Sequence, residues 1–326
     1  MTDTPSTEVG PAEAREALQA VRTEIAKAVV GQDAAVSGLL VALLSHGHVL
    51  MEGVPGVAKT LLVRALAAAL SVDSKRVQFT PDLMPGDITG SMVYDGRGGD
   101  LAFRAGPLFT NLLLADEINR TPPKTQSALL EAMQEAQVTV DGVSRRLPRP
   151  FLVVATQNPV EFEGTYPLPE AQLDRFLLKV VLPLPEREQE AEILARHARG
   201  FDGQDVAAAG VLAVASPLHL AAGVAAVQQV TISPEIGDYI VDIARATRVS
   251  PSLSLGVSPR GATALLHSSR AWAWLSGREF VTPDDVKALA HATLGHRLAL
   301  RPEAELEGVD AHQVLASALD SVAVPR

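Results

Sequence analysis

The chain has 326 residues, a formal net charge of −10, 47 % hydrophobic and 20 % charged residues, the profile of a globular protein of one large or two ordinary domains. The acidic balance argues against a general nucleic-acid binder, which carries a basic footprint, and the absence of cysteine excludes disulfides and thiolate metal sites. No apolar run approaches the ~18 residues a membrane span needs, and no basic segment followed by an apolar one marks a signal peptide, so a cytoplasmic protein is expected. Aromatic residues are only 4 %. Ala, Val and Leu must therefore fill the core, which suits helices packed on a parallel sheet.

Residues 1–11 are polar, contain Pro5 and Pro11, and read as a disordered tail. From residue 12, Leu18, Val21, Ile25 and Val29 follow helical spacing, ending near Val30-Gly31-Gln32. A second helix spans Asp33 to Leu44 and precedes an apolar run, Val49-Leu50-Met51, that reads as the first strand. Gly53 to Thr60 follow, and then a helical run from Leu61 to Leu70. Val77-Gln78-Phe79 reads as a second, short strand. Residues 81–109 are rich in Gly and Pro, with two short apolar patches flanking Asp95-Gly96-Arg97-Gly98-Gly99-Asp100, a hairpin signal. A long excursion of this kind inside a compact domain is usually functional.

Asn111 to Ala115 is an apolar run that reads as a buried parallel strand, closed by Asp116 and Glu117. Thr121-Pro122 supplies an N-cap and a first helical residue for a helix running through Met133. Val138 to Val143, with Asp141-Gly142 at its centre, is a second hairpin signal. Phe151 to Thr156 is another buried strand, ended by Gln157-Asn158-Pro159, and Leu177 to Leu182 a further one. Pro183 and Pro185 mark a boundary. Beyond Glu186, Ser216-Pro217, Ser233-Pro234, Ser258-Pro259 and Thr282-Pro283 each pair a capping residue with proline and predict a helical domain. Residues 201–216 are a low-complexity loop.

The chemistry is carried by Gly53-Val54-Pro55-Gly56-Val57-Ala58-Lys59-Thr60. A strand, a glycine-bearing loop and a helix, in that order, cradle phosphate with backbone N–H groups and a helix N-terminus. Lys59 would reach the β- and γ-phosphates and the Thr60 hydroxyl would bind Mg²⁺. Ala58 stands where a second glycine usually precedes the lysine, and its methyl group leaves the amides open if φ stays negative. Asp116 ends a strand where ligands bind in open α/β sheets. It can hold Mg²⁺, directly or through water, while Glu117 faces another atom and polarises the attacking water.

These residues resemble a MoxR-type ATPase of the AAA+ superfamily over residues 20–300 or so. The phosphate loop and the Asp116-Glu117 pair are similar to Walker A and Walker B elements, and residues 112–120 and 169–176 resemble family hallmarks. The resemblance implies an α/β P-loop AAA+ core with a five-stranded parallel sheet flanked by helices, followed by a small all-helical lid. The core would span residues 12–185 and the lid 186–326. The excursion at 91–106 resembles the helix-2 insert and the hairpin at 138–148 the pre-sensor-1 hairpin. By the same resemblance Val29, Val30 and Gly31 would cradle adenine, Asn158 would be sensor 1, Arg175 the arginine finger acting on a neighbour's nucleotide, and Arg260 sensor 2, touching phosphates of its own subunit. Arg120 would line the subunit interface.

The implied activity is Mg²⁺-dependent ATP hydrolysis in a ring, a hexamer in this family, driving chaperone-like remodelling of protein complexes with a von Willebrand factor A domain partner. Two alternatives stand beside it: a magnesium-chelatase-like motor subunit, and a nucleotide-dependent scaffold with little turnover. A DNA-remodelling reading rests only on Arg145, Arg146 and Arg149, and the net charge disfavours it. His46 and His48, and His291 and His296, lack zinc-ligand spacing.

Overall fold

Three strands with apolar sequences make the centre of a five-stranded, wholly parallel sheet: β1 (Val49–Glu52), β5 (Leu112–Asp116) and β8 (Leu152–Gln157). They read as unbroken apolar runs because helices cover both faces. Period-2 alternation divides their side chains between two cores. Val49, Met51, Leu112 and Leu114 join one cluster; Leu50, Leu113 and Ala115 join the other. The order across the sheet is β2-β5-β8-β1-β9, with β2 (Ser74–Gln78) and β9 (Leu178–Val181) at the edges. The computed structural model describes residues 9–94, 101–157, 165–203 and 205–325.

Around the sheet run α1 (Pro11–Ala28), α2 (Asp33–Leu44), α3 (Lys59–Ala69), α4 (Pro85–Thr89), α5 (Pro123–Glu135), α6 (Glu170–Leu173) and α7 (Arg187–Ala198). Two antiparallel hairpins stand off it. One pairs β3 (Gly90–Tyr94) with β4 (Leu101–Ala105), and the other pairs β6 (Gln137–Val140) with β7 (Val143–Arg146). The second turns at Asp141 (φ 50°) and Gly142 (φ 76°), the two left-handed residues of the Asp-Gly turn its sequence predicts. The tip of the first, residues 95–100, lies outside the described residues.

The helical region holds α8 (Pro217–Gln229), α9 (Pro234–Arg248), α10 (Pro259–Leu275), α11 (Pro283–Leu294), α12 (Pro302–Leu306) and α13 (Ala311–Ser321), with a small pair of strands, β10 (Leu253–Leu255) and β11 (Ala299–Leu300). Each of the four Ser/Thr-Pro steps starts a helix. Ser233, Ser258 and Thr282 accept N–H bonds from Ile236, Gly261 and Asp285, and the Ser216 N–H donates to His219 Nδ1. This region does not stand apart. A Cβ on Gly223 of α8 would lie 2.8 Å from Leu44 and 3.2 Å from Leu18 and Trp274, so α1, α2, α8 and α10 share one core.

Four boundaries differ from the sequence reading. The first helix begins at Pro11, inside the stretch read as a disordered tail, because proline is favoured in a first helical turn, and the helix after the phosphate loop begins at Lys59 rather than Leu61. The second strand covers Ser74–Gln78 rather than 77–79. It is an edge strand whose outer residues carry charge, and hydropathy registers only its tail. The helix after β5 begins at Pro123, not Pro122. A residue before proline is pushed away from helical backbone, so Pro122 is extended (ψ 153°) and Thr121 closes the preceding turn, fully buried.

Candidate active site

The sheet order brings the ends of β1, β8 and β5 side by side. The phosphate loop leaves β1, the paired carboxylates end β5, and Thr156 of β8 stands between them. Ala58, Lys59, Thr60, Asp116 and Glu117, with Gly56 beneath, line one cleft of about 560 Å³. Lys59 Nζ donates to the Gly53 carbonyl at 2.6 Å. Burial pushes the lysine below its ordinary pKa, and Asp116, Glu117 and Glu52 oppose that shift. A Cβ on Gly53 would lie 3.0 Å from the Leu182 carbonyl, which fits the loop tightly to the segment after β9. Val57 is buried against the core and Val54 partly so.

The condition of a negative φ at Ala58 is not met. Its φ is +63°, left-handed, so the methyl group sits where glycine is preferred and costs roughly 1–2 kcal/mol. The strained backbone keeps the loop's turn into α3. Glu117 is left-handed too, with φ 57° and ψ 51°, and strain of this kind persists where surrounding bonds over-determine it. Its N–H donates to Thr156 Oγ1 at 2.9 Å, and the Thr156 hydroxyl donates to Asp116 Oδ1 at 2.6 Å. One buried threonine thereby sets both carboxylates. Arg76 Nε and Nη2 donate to Asp116 Oδ2 at 3.0 and 2.7 Å. Gln78 Nε2 and Arg120 Nη1 donate to Glu117 Oε2 at 2.5 and 2.9 Å.

The donor set suits Mg²⁺. Thr60 offers a hydroxyl and Asp116 a carboxylate, both hard oxygens, and Mg²⁺ takes one or two of these beside phosphate and water. No group of three or more His, Asp or Glu able to hold a metal occurs among the described residues.

A smaller pocket of about 130 Å³ adjoins the loop. Val29, Val30, Ile193, His197 and Phe201 line it together with Gly56 and Ala58. His197 and Phe201 meet edge to face with centroids 5.3 Å apart. Gly31 is outside the lining; its φ is +75° and a Cβ there would collide with the Gln189 side chain.

Arg175 and Arg260 come together elsewhere. They line a second cleft, of about 260 Å³, that shares no residue with the phosphate cleft. Arg260 is not among the residues that line the phosphate cleft. The reason lies in a buried clamp: Arg297 ion-pairs with Asp174, and its Nη2 donates to the Phe176 carbonyl at 2.6 Å. The capping Ser258 of α10 donates to Asp174 Oδ2 at 3.5 Å. This pins the start of α10 beside Arg175, and the Asp174 that might have paired with Arg175 is taken by Arg297. His296 Nε2 also reaches the Phe176 carbonyl, at 3.1 Å, and the His48 carbonyl accepts from Leu177 N–H at 2.8 Å. Burial pushes His48 and His296 down to about 4. His48 Nδ1 accepts from Val153 N–H at 3.0 Å while Nε2 lies 3.0 Å from the Met133 carbonyl, a pattern that only the neutral ring with its proton on Nε2 satisfies. Asn158 lies outside the described residues.

Sequence reasoning missed Arg76, Gln78, Thr156, His197, Phe201, Asp174 and Arg297. Thr156 had a legible signal, a polar residue ending an apolar strand; the others are joined to the clefts only by the fold.

A phosphate loop entering a helix, a strand ending in two carboxylates and a helical region after the sheet define a P-loop ATPase. The profile of the "ATPase family associated with various cellular activities (AAA)" matches residues 48–178, and that of the AAA lid domain residues 245–318. Chaperone MoxR1 of Mycobacterium tuberculosis is 41 % identical over 316 residues, 93 % of this chain and 81 % of the relative. YeaC of Bacillus subtilis, itself uncharacterized, is 49 % identical over 88 % of each chain. A solved structure of a provisionally assigned ATPase from Cytophaga hutchinsonii superposes with a TM-score of 0.89 at 40 % identity, covering 97 % of both chains. The chain belongs to the MoxR family of AAA+ ATPases.

Proposed function

We propose that the protein hydrolyses ATP at the interface between subunits of a ring, in the cytoplasm, and uses the cycle to remodel or mature protein complexes. The observation that carries this is the convergence of Lys59, Thr60, Asp116 and Glu117 on one cleft beside a pocket of the size of a base. Adenine would enter between Val30 and the His197–Phe201 pair. Lys59 exchanges the Gly53 carbonyl for phosphate oxygens. Glu117, fixed by Thr156, orients and polarises the attacking water. Thr60 and Asp116 would hold Mg²⁺, which would supply positive charge to the phosphates.

Arg175 and Arg260 line a cleft that shares no residue with the phosphate cleft of their own subunit, which supports both acting on the neighbour's nucleotide. A guanidinium placed there stabilises charge on the transferring phosphoryl group. The hairpins would carry the motion to a client. Arg145 lies over the Phe103 ring, 4.0 Å from its centroid, tying them together, and beyond it Tyr94 and Leu101 are 70 % and 65 % exposed. A von Willebrand factor A domain protein is the partner the family suggests, and the relative Chaperone MoxR1 suggests the chaperone role.

The test is the steady-state Mg-ATPase rate per subunit against protein concentration. It should rise with concentration and fall by about 10²–10³-fold in Glu117→Gln, the usual loss of one transition-state group. ATP binding without turnover at any concentration would favour a scaffold.

A further inference from the structure

Asp116 has both oxygens engaged: Oδ1 by the Thr156 hydroxyl and Oδ2 by two N–H groups of Arg76. Arg76 is placed for this by register. On β2 it pairs with Leu114, two residues before Asp116, and Gln78 pairs with Asp116 itself. Arg76 Nη2 also donates to Gln78 Oε1 at 2.8 Å, which orients Gln78 towards Glu117. The arginine lines the phosphate cleft and its side chain is half exposed, so water can take over its bonds when the carboxylate is claimed by another partner. A divalent ion on the same oxygen would sit about 2 Å from it, against a guanidinium already donating there, and like charges at that range repel strongly.

We infer that Arg76 and Mg²⁺ compete for Asp116 Oδ2, so that the arginine is an internal counter-ion the metal must displace. Arg76 is then a positioning residue. It keeps the carboxylate aimed while sparing the cleft an uncompensated charge, and it sets how much Mg²⁺ is needed before nucleotide is held well. Its link through Gln78 to Glu117 means that release of Asp116 also loosens one of the bonds on the water-orienting carboxylate. The inference rests on the ATPase reading of the same cleft.

The experiment measures equilibrium binding of a fluorescent ATP analogue across a Mg²⁺ series for the unaltered chain, Arg76→Gln and Arg76→Lys, each first shown to melt within a few degrees of the others. Arg76→Gln should lower the Mg²⁺ concentration at half-maximal affinity about fivefold, the scale of a half-exposed ion pair, and Arg76→Lys, which keeps the charge, should stay near the unaltered value. An unmoved or raised midpoint in Arg76→Gln overturns the inference, as does an Arg76→Lys curve that follows Arg76→Gln. Absence of any Mg²⁺-dependent binding by the unaltered chain would instead remove the ATPase reading beneath it.

Discussion

The two clefts are built in opposite ways. The phosphate cleft is made of contiguous motifs: eight residues of loop and two adjacent carboxylates at a strand end, with backbone geometry doing most of the positioning. The Arg175–Arg260 cleft is made of residues 85 positions apart, and what joins them is a buried arginine from a third segment, Arg297, on Asp174 and Phe176. The first is assembled within the sheet, from the ends of neighbouring strands; the second exists only when the helical region is docked on the sheet. Binding of nucleotide and completion of the neighbour's site should therefore be separable by mutation.

Arg297→Met should show this most strongly. It removes one partner of a buried pair and takes a donor from three backbone carbonyls, of which Phe176 keeps His296, a loss of about 3 kcal/mol in urea unfolding. Because the phosphate loop does not depend on the clamp, nucleotide affinity of the folded fraction should change little while turnover collapses. Equal loss of both would erase the contrast between the clefts.

Acid should attack the same junction. His48 and His296 have their pKa values pushed down to about 4 from an ordinary 6.5, so the unfolded chain binds more protons between those values. Their contribution is complete above pH 6.5 and is lost as pH falls through about 4, on the order of 3 kcal/mol for each ring. His48→Gln, whose amide can make both of the ring's bonds, should flatten the stability curve across that window. A curve of unchanged steepness would show that the ring is not held neutral.

The smallest effect belongs to the phosphate loop. Ala58→Gly relieves left-handed strain of roughly 1–2 kcal/mol but adds unfolded-state freedom of about 0.4–1 kcal/mol. The net should be a slight stabilisation of the melting curve, with nucleotide affinity kept. Clear destabilisation would mean that the Ala58 methyl group contributes packing that outweighs its strain.

The same contrast explains what the sequence made legible. Central strands announce themselves as apolar runs, and four Ser/Thr-Pro steps marked four helices, because each signal is local. Lys59, Thr60, Asp116 and Glu117 were readable for the same reason. Arg76 and Gln78 were not, since an edge strand with charged outer residues looks like a loop. Arg260 is legible as a residue, but its place beside Arg175 is not, because the packing of α10 against Asp174 is a long-range fact with no local trace. The sign of φ at Ala58 is not legible either, for nothing in its neighbours fixes one dihedral.

The central claim is that hydrolysis needs Glu117 from one subunit and Arg175 from the next. The direct measurement is the ATPase rate of Glu117→Gln and Arg175→Ala, each alone and then mixed in equal amounts under conditions that let subunits exchange. Each alone should be nearly inactive, and the mixture should recover about a quarter of the unaltered rate, the share of head-to-tail interfaces that join an intact carboxylate to an intact arginine. A mixture as inactive as its parts, with exchange demonstrated, would contradict a site shared between subunits.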